Sequence, residues 1–598
     1  MKEEGQDASL LSSRPGLMPE ERSPGNASLL KLEPFYETVS GIRMTALDKA
    51  ILENYNQGGF RRKTAGLNIW TEDFFRRAFM MKSQVTARHE PIMARFGGMG
   101  FHNSESGLYR RMGDRQFHEV VGKIYHELSP GFSRMGGGAP DWSREQMDDF
   151  VEYCRKMQCK TDTTIYLTGH CVRYHSDEEF RKYASDVADR LEYVIREKGI
   201  ENVKVYCMSN ELSLDDWGDL NFEMNTFKTY HTYLYHEFRR RGLPVMLLAT
   251  DASPMERWES IEWAIANGMV PISQVFGGHH YSNDFEPEDL DFYKIFKRHC
   301  SDVVNLLKPH ERRFILGEFG LAQRFKQGVN NVNGVKMDVC DAFYNGKEEY
   351  SALQICEMAM AAMNAGVYAM AMWTFTDLPN PTGMSYRLNK WGLTRWDGED
   401  YSARSWLYAY GLLVKYFRKE SKPLMLSTGD YLLRCGGVEN DDGSFSICLI
   451  NRSLEPVDVE LTLEGLTAQR PLRNYLYDAN QPPQNAFADL QGYRELLQEE
   501  NGQVKVTLPG SSITMLTTDY REHQPAPVRN VRCEEGKITW DASTEPEHRY
   551  YRVYKGSTEQ FTPSAENQIA STIALYAKDE SGQPGYYKVL SVDQWGNC

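Results

Sequence analysis

Eight short apolar runs, each followed by a longer stretch of helical periodicity, succeed one another between residues 93 and 375. They read MARFGGMGF (93–101), GFSRMGGG (131–138), TTIYLTG (163–169), VKVYCMSNE (203–211), PVMLLATD (244–251), ISQVFGGHHY (272–281), RRFILGEFG (312–320) and GVYAMAMWTF (366–375). Between them lie segments such as DDFVEYCRKMQ (148–158), DEEFRKYASDVADRLEYVIREKG (177–199) and FKTYHTYLYHEFRRRG (227–242). Their apolar residues recur every three to four positions, as helices lying on a sheet require. Gly199 and Gly242 stand where helix C-caps are expected. Eight strand–helix repeats in about 310 residues are the arithmetic of a closed (β/α)8 barrel, so an α/β TIM barrel is expected over 91–405. A doubly wound open sheet would need a glycine-rich phosphate loop after a strand. GMGFHN (98–103) lacks both its spacing and the following acidic residue.

The flanks differ in pattern. Residues 1–27 are polar and rich in Ser, Pro, Gly and Glu, the composition of a flexible tail. Residues 28–90 carry little pattern and are expected to pack on the barrel or lend strands to a sandwich beyond it. After 405, runs such as YLLRCGGV, FSICLINRS, VDVELTLEG, QVKVTL and SITMLTT alternate apolar and polar residues, predicting that β-sandwich over 406–520. HQPAPV (523–528) reads as a linker. The last segment, 525–598, carries Trp540, a Tyr-x-Val-Tyr strand and a closing Val-Asp-x-x-Gly-Asn, and resembles a fibronectin type III module.

With 68 basic and 83 acidic residues the chain has a formal charge of −15, which disfavours nucleic acid and anionic membrane surfaces as partners. No apolar stretch is long enough to span a bilayer. The start, MKEEGQDASLLSSRPG, has neither the basic start nor the apolar core of a secretory signal. The 11 cysteines are scattered without a CxxC pair; Cys154 and Cys159 come closest, and no second pair answers them. These features predict a cytoplasmic chain with no metal and no cofactor.

Chemistry in such a barrel belongs at the C-terminal ends of the strands. Those ends carry His102 with Asn103, Arg134, His170, Asn210 with Glu211, Asp251, His279 with His280 and Tyr281, Glu318, and Trp373. Two carboxylates stand out, Glu211 and Glu318, each following a strongly apolar strand. Cleavage of a glycosidic bond needs two such groups, one to protonate the departing oxygen and one to attack or to activate water. The histidines fall on separate strands without the helical pair of a zinc enzyme, which disfavours metal chemistry.

At these residues the sequence resembles the clan A glycoside hydrolases, retaining (β/α)8 enzymes with Asn-Glu on strand four and Glu on strand seven. Here those are Ser209-Asn210-Glu211 and Gly317-Glu318-Phe319-Gly320. The resemblance implies Glu211 as acid/base, Glu318 as nucleophile and Arg134 beside the nucleophile. It further implies His170 as a sugar-binding histidine, Tyr281 of His279-His280-Tyr281 as a hydrogen-bond donor to the nucleophile, and Trp373 as the floor of the −1 subsite. Asn210 would meet the sugar 2-hydroxyl, and Asn103 joins the substrate-binding set. Families five, thirty-nine and fifty-one are similar in motif, and the sandwich also resembles family thirty. Leu212 departs from the proline common after the acid/base glutamate, and the double histidine leaves open which ring faces the sugar.

Sugar faces stack on aromatic rings, which makes Trp142, Trp217 and Trp391, in loops after strands two, four and eight, candidate platforms. The expected reaction is exo-acting hydrolysis of soluble oligosaccharides or small glycosides with retention of configuration, the two carboxyl groups standing about 5–5.5 Å apart. Two alternatives share these residues: a non-catalytic carbohydrate-binding protein on a degenerate barrel, and a transglycosylase using the same intermediate. The C-terminal β domains are expected to pack on the barrel or to join copies into a homo-oligomer.

Overall fold

The computed structural model describes residues 81–598, apart from 104–112, 137–141, 158–160, 170–175, 213–223, 254–257, 283–290, 322–323, 333–334, 342–347, 381–386 and 396–401. After β1 (Met81–Pro91) the barrel begins. Its strands are β2 (Gly98–His102), β3 (Phe132–Gly136), β4 (Thr164–Thr168), β5 (Val203–Cys207), β6 (Met246–Ala252), β7 (Val275–Ser282) and β8 (Arg313–Leu321). Two strands outside the barrel follow, β9 (Arg324–Val332) and β10 (Val335–Asp341), and then β11 (Ala369–Met372) closes the ring against β2 and β8. Each of the eight apolar runs thus supplies one stave, all parallel.

The helices between the staves start where local chemistry dictates. Ser143 with Gln146 and Ser176 with Glu179 form capping boxes at the heads of helices Arg144–Lys156 and Asp177–Glu192. Gly199 and Gly242, at the ends predicted for their helices, have φ of 74° and 62°, a region that costs glycine little. The barrel is filled by Phe132, Tyr166, Val205, Cys207, Leu248, Val275, Ile315, Ala369 and Ala371. Because strand side chains alternate in and out, these nine residues set the phase of every strand they lie on.

Beyond the barrel, β12 (Leu378–Asn380) and β13 (Arg387–Lys390) join β9 and β10 in a four-stranded sheet. The sandwich comprises β14 (Lys422–Thr428), β15 (Leu433–Glu439), β16 (Phe445–Asn451), β17 (Val457–Glu464), β18 (Leu472–Asp478), β19 (Glu495–Leu497), β20 (Gln503–Leu508) and β21 (Ser512–Thr517). β1 lies among them, antiparallel to β14 and parallel to β17, so the end of the poorly patterned segment 28–90 is a sandwich strand. The tail 1–27 and the rest of that segment lie outside the described residues. Residues 532–593 form two small antiparallel sheets of three strands each, with Trp540 packed on Tyr551 between them. This module is seated on the barrel: Tyr576 donates to Asp114 (2.7 Å), and Arg549 donates to the Ser129 hydroxyl (3.1 Å). No helix among the described residues is long and apolar enough to cross a membrane.

Candidate active site

Strand phase decides which strand-end residues face the axis. On β7, Val275 points inward, so Gly277, His279 and Tyr281 do as well, while His280 points outward. The structure follows that alternation. His280 stacks on Phe296 (5.0 Å) of helix Phe292–Leu307, and burial there pushes its ring down to about 3. The expected substrate-binding role of His280 is therefore corrected: its ring serves the packing of strand on helix. His279 is the histidine that faces the axis.

Two acidic residues reach the axis only because their strands break phase. Ile315 faces inward, so uninterrupted alternation would send Glu318 outward. Pairing between β7 and β8 passes from Gly278↔Leu316 to His279↔Glu318, leaving Gly317 as an extra residue, and this bulge turns Glu318 inward. On β6 the inward residue is Leu248, and pairing with β7 jumps from Ala249 to Ala252. Thr250 and Asp251, both in the left-handed region (φ 70° and 48°), occupy that jump and bring Asp251 to the axis. Glu211 follows β5 and is itself left-handed, with φ of 56°.

The side chains so placed form one connected set. Arg134, inward on β3, donates from Nη1 to Glu318, and from Nη2 to Asn210 Oδ1 (2.6 Å) and Asp251 Oδ2 (2.7 Å). Since a guanidinium only donates, the contact fixes the Asn210 amide oxygen toward Arg134. The Tyr281 hydroxyl donates to Glu318 Oε2. His279 Nδ1 lies 3.3 Å from Glu211 and 3.7 Å from Glu318, and its Nε2 lies 3.1 Å from Asp251 Oδ1. One oxygen of Glu211 and one of Glu318 lie within 4.8 Å of each other. His102 Nε2 stands 3.9 Å from Glu318, and its ring rests on Trp373 (4.2 Å between centroids). The peptide between Trp373 and Thr374 is cis.

Electrostatics separates these groups. Burial alone would strip His279 of its proton, but Asp251 and Glu318 override it and hold the ring up to about 10, a cation at neutral pH. His102, equally buried but beside Arg134 and His279, is pushed well below the ordinary histidine value and is neutral. Burial raises Glu318 above the ordinary carboxylate value; His279 and Arg134 pull it back, and Glu211 pushes it further up. Burial, with Glu318 and Glu211, keeps the Tyr281 phenol protonated and hence a donor. The Glu211 side chain keeps 29% of its surface against 7% for Glu318, so the former is the more open to solvent.

Glu211, His279 and Glu318 also converge as three ligand atoms of the kind that hold metals. Arg134 already bonds Glu318, so a divalent cation there would meet a fixed positive charge beside one of its ligands. The donor set suits a carboxylate pair better than a metal.

Of the remaining expected residues, Asn103 is fully buried, with its backbone N–H on the Arg134 carbonyl (2.7 Å). The Trp142 ring packs on Phe150 (5.7 Å) of helix Arg144–Lys156, and its carbonyl accepts from Arg190 (3.3 Å) of the next helix. That places the half-buried Trp142 beside the head of that helix, against the helical layer. Trp391 stands edge-on behind Trp373 (5.8 Å), supporting that ring, and is itself buried. His170 and Trp217 lie outside the described residues. Asp251 and His102 were visible as polar strand ends in the sequence, but nothing there assigned them partners.

Neither a family model nor a curated protein matches the sequence. Solved structures do match the fold. A xylanase of glycoside hydrolase family 30 subfamily 8 from Clostridium acetobutylicum aligns with a TM-score of 0.53 at 11% identity, covering 73% of this chain and 99% of that one. The catalytic domain of a family 30 xylanase C from Talaromyces cellulolyticus gives 0.52 at 14%, with coverage of 73% and 99%. A family 51 arabinofuranosidase from Xanthomonas axonopodis pv. citri gives 0.51 at 13%, again covering 73% and 99%. Spanning nearly the whole of those chains, the protein has the barrel-and-sandwich fold seen in glycoside hydrolases of families 30 and 51.

Proposed function

We propose that the protein is a retaining glycoside hydrolase in which Glu318 attacks the anomeric carbon and Glu211 serves as acid and then base. The observation that carries this is the approach of the two carboxylates, from the fourth and seventh staves, to within 4.8 Å of each other. An approach that close supports the separation of about 5–5.5 Å of retaining enzymes over the inverting spacing, which must leave room for a water. In the first step the Glu318 carboxylate forms a bond to the anomeric carbon as the glycosidic bond breaks. Glu211 gives its proton to the departing oxygen. In the second step Glu211 takes a proton from water, which displaces Glu318.

The surrounding groups suit these roles. Arg134, Tyr281 and the His279 cation all direct positive charge or donors at Glu318, favouring its ionised form and its departure from the covalent intermediate. The fixed amide of Asn210 offers its N–H2 to a sugar hydroxyl. Trp373 presents a ring backed by His102 and Trp391, a rigid surface for an apolar sugar face. His170 and Asn103 complete the substrate-binding set we propose.

The names of fold neighbours, xylanases, an endo-β1,6-glucanase and an arabinofuranosidase, support a carbohydrate substrate. Our finer reading is exo action on soluble oligosaccharides or small glycosides by a cytoplasmic enzyme. Hydrolysis of a panel of nitrophenyl glycosides tests it. Glu318→Gln should lower kcat at least about 1000-fold, Glu211→Gln should lose most activity on substrates with poor leaving groups, and the first product should keep its anomeric configuration. Unchanged turnover in Glu318→Gln would remove the assignment.

A further inference from the structure

We propose that Asp251 is a positioning residue of this centre, its buried carboxylate holding the Arg134 guanidinium and the His279 imidazole in the orientation in which both face Glu318. The inference rests on the glycosidase reading above and adds to it a residue that acts through two others.

Three observations carry it. The first is a two-point grip: Asp251 Oδ2 accepts from Arg134 at 2.7 Å, while Oδ1 faces His279 Nε2 at 3.1 Å, with no part of Asp251 exposed. Each gripped group presents its other end to Glu318. The second is backbone geometry. Thr250 and Asp251 are consecutive non-glycine residues in the left-handed region, and Thr is β-branched, which makes that conformation costly. A strand that simply alternated would avoid the cost and leave Asp251 outside the barrel.

The third observation is cleared space on the next two strands, β7 and β8. A Cβ added at Gly277 would stand 2.9 Å from Asp251 Oδ1, and one at Gly317 would stand 2.8 Å from the same atom. Two staves thus carry glycine where the Asp251 carboxylate needs room.

The electrostatic consequence comes from the groups around His279. Facing it are Asp251 from β6, Arg134 from β3, His102 from β2, Glu211 after β5, Glu318 from β8 and Tyr281 on its own strand. Tyr166 and Cys207 stand near Asp251 and are kept protonated, the thiol pushed up to about 12, so neither competes as an anion. Asp251 is the largest influence favouring the His279 cation, opposed by burial and Arg134. Replacing it by a neutral amide removes the larger of the two influences that hold the proton on the ring, so the ring loses it at lower pH. Glu318 then loses a neighbouring cation, its protonated form is favoured, and the pH at which it ionises rises.

Asp251→Asn should therefore lower kcat on the order of 100-fold with little change in KM, and move the acidic limb of the kcat/KM profile to higher pH. A merely structural role would lower the amount of folded protein without moving that limb. Nitrogen-15 NMR of the His279 ring, identified with His279→Gln, supplies a readout independent of turnover: doubly protonated at pH 7 in the wild type, losing that proton at lower pH in Asp251→Asn. Wild-type kinetics and an unmoved limb in Asp251→Asn would overturn the positioning role and leave the glycosidase reading intact. Failure of the wild type on every glycoside would sink that reading and with it the catalytic role of Asp251, while the ring titration would still report the grip on His279. Should Asp251→Asn not fold, a neutral His279 at pH 7 in the wild type overturns the proposal and a cationic ring supports it.

Discussion

At the scale of single residues, neighbours in sequence have opposite duties. His279 and His280 are chemically identical, yet one is a cation among carboxylates and the other a neutral ring between strand and helix. The difference comes from strand parity alone. It predicts that His280→Phe, which keeps a flat ring beside Phe292 and Phe296, leaves kcat within about threefold, since volume-conserving swaps in a packed layer cost little. His279→Phe should instead lower kcat by about 100-fold or more, because it removes a charge beside Glu318 and leaves Asp251 with an unpaired buried oxygen. Glycoside turnover by the two purified variants, with circular dichroism to verify folding, separates the outcomes.

At the scale of elements, the helices that could be read in the sequence are those with one wet face. Helix Asp177–Glu192 buries Tyr183, Ala184, Val187, Ala188 and Leu191 and opens with a capping box. Ser176→Ala removes an acceptor for the Glu179 N–H and should destabilise the protein by about 1 kcal/mol, measured as a fall in urea midpoint with activity retained. Helix Glu348–Ala365 is different: fourteen of its residues are buried, from Ser351 to Ala365. It lies between β8 on the barrel side and the sandwich, where Met360 and Met363 meet Gly436 and Glu357 bonds Arg434 (2.6 Å). Burial on both sides erases the amphipathic stripe, so such a helix cannot be recognised from periodicity. The strands β9 and β10, lying between the seventh and eighth staves, likewise went unread, because a hairpin in a loop has no barrel phase to betray it.

At the scale of the whole molecule, the last module is fixed to the barrel through a buried ionic junction. Lys123, fully buried on helix Gly122–Leu128, bonds Glu127 (2.6 Å) and Asp489 (2.5 Å) and the Ala488 carbonyl (2.9 Å), and lies over the Tyr550 ring. Arg552 donates to Asp489 (3.0 Å), and Ser571 does so as well (2.8 Å), so barrel, sandwich and C-terminal module share one carboxylate. Burial would raise Asp489, but Lys123 and Arg552 hold it down at about 2. A depressed carboxylate contributes stability above its unfolded value near 4 that is lost as pH falls toward 2. Lys123→Met takes the bonded cation from Glu127 and leaves Asp489 with Arg552 alone, and should cost about 3 kcal/mol, seen as a lower Tm and as faster proteolysis near 523–528. An unchanged Tm would show that the junction contributes nothing.

Periodicity by itself determined the eight staves, their order and the positions of Glu211 and Glu318 at the fourth and seventh, because a repeating apolar pattern has one economical closure into a barrel. Arg134, Tyr281 and Trp373 were legible as polar or aromatic residues near the ends of three of those runs, and each stands near the end of a stave. What only the tertiary structure decided is where phase is broken. The bulge at Gly317 and the left-handed pair Thr250–Asp251 reverse the facing of one residue each, and nothing in the local pattern announces them. A bulge depends on how two strands pair rather than on the composition of either, so the inward turn of Glu318, and the whole of Asp251's part in the site, emerge only once neighbouring staves are side by side.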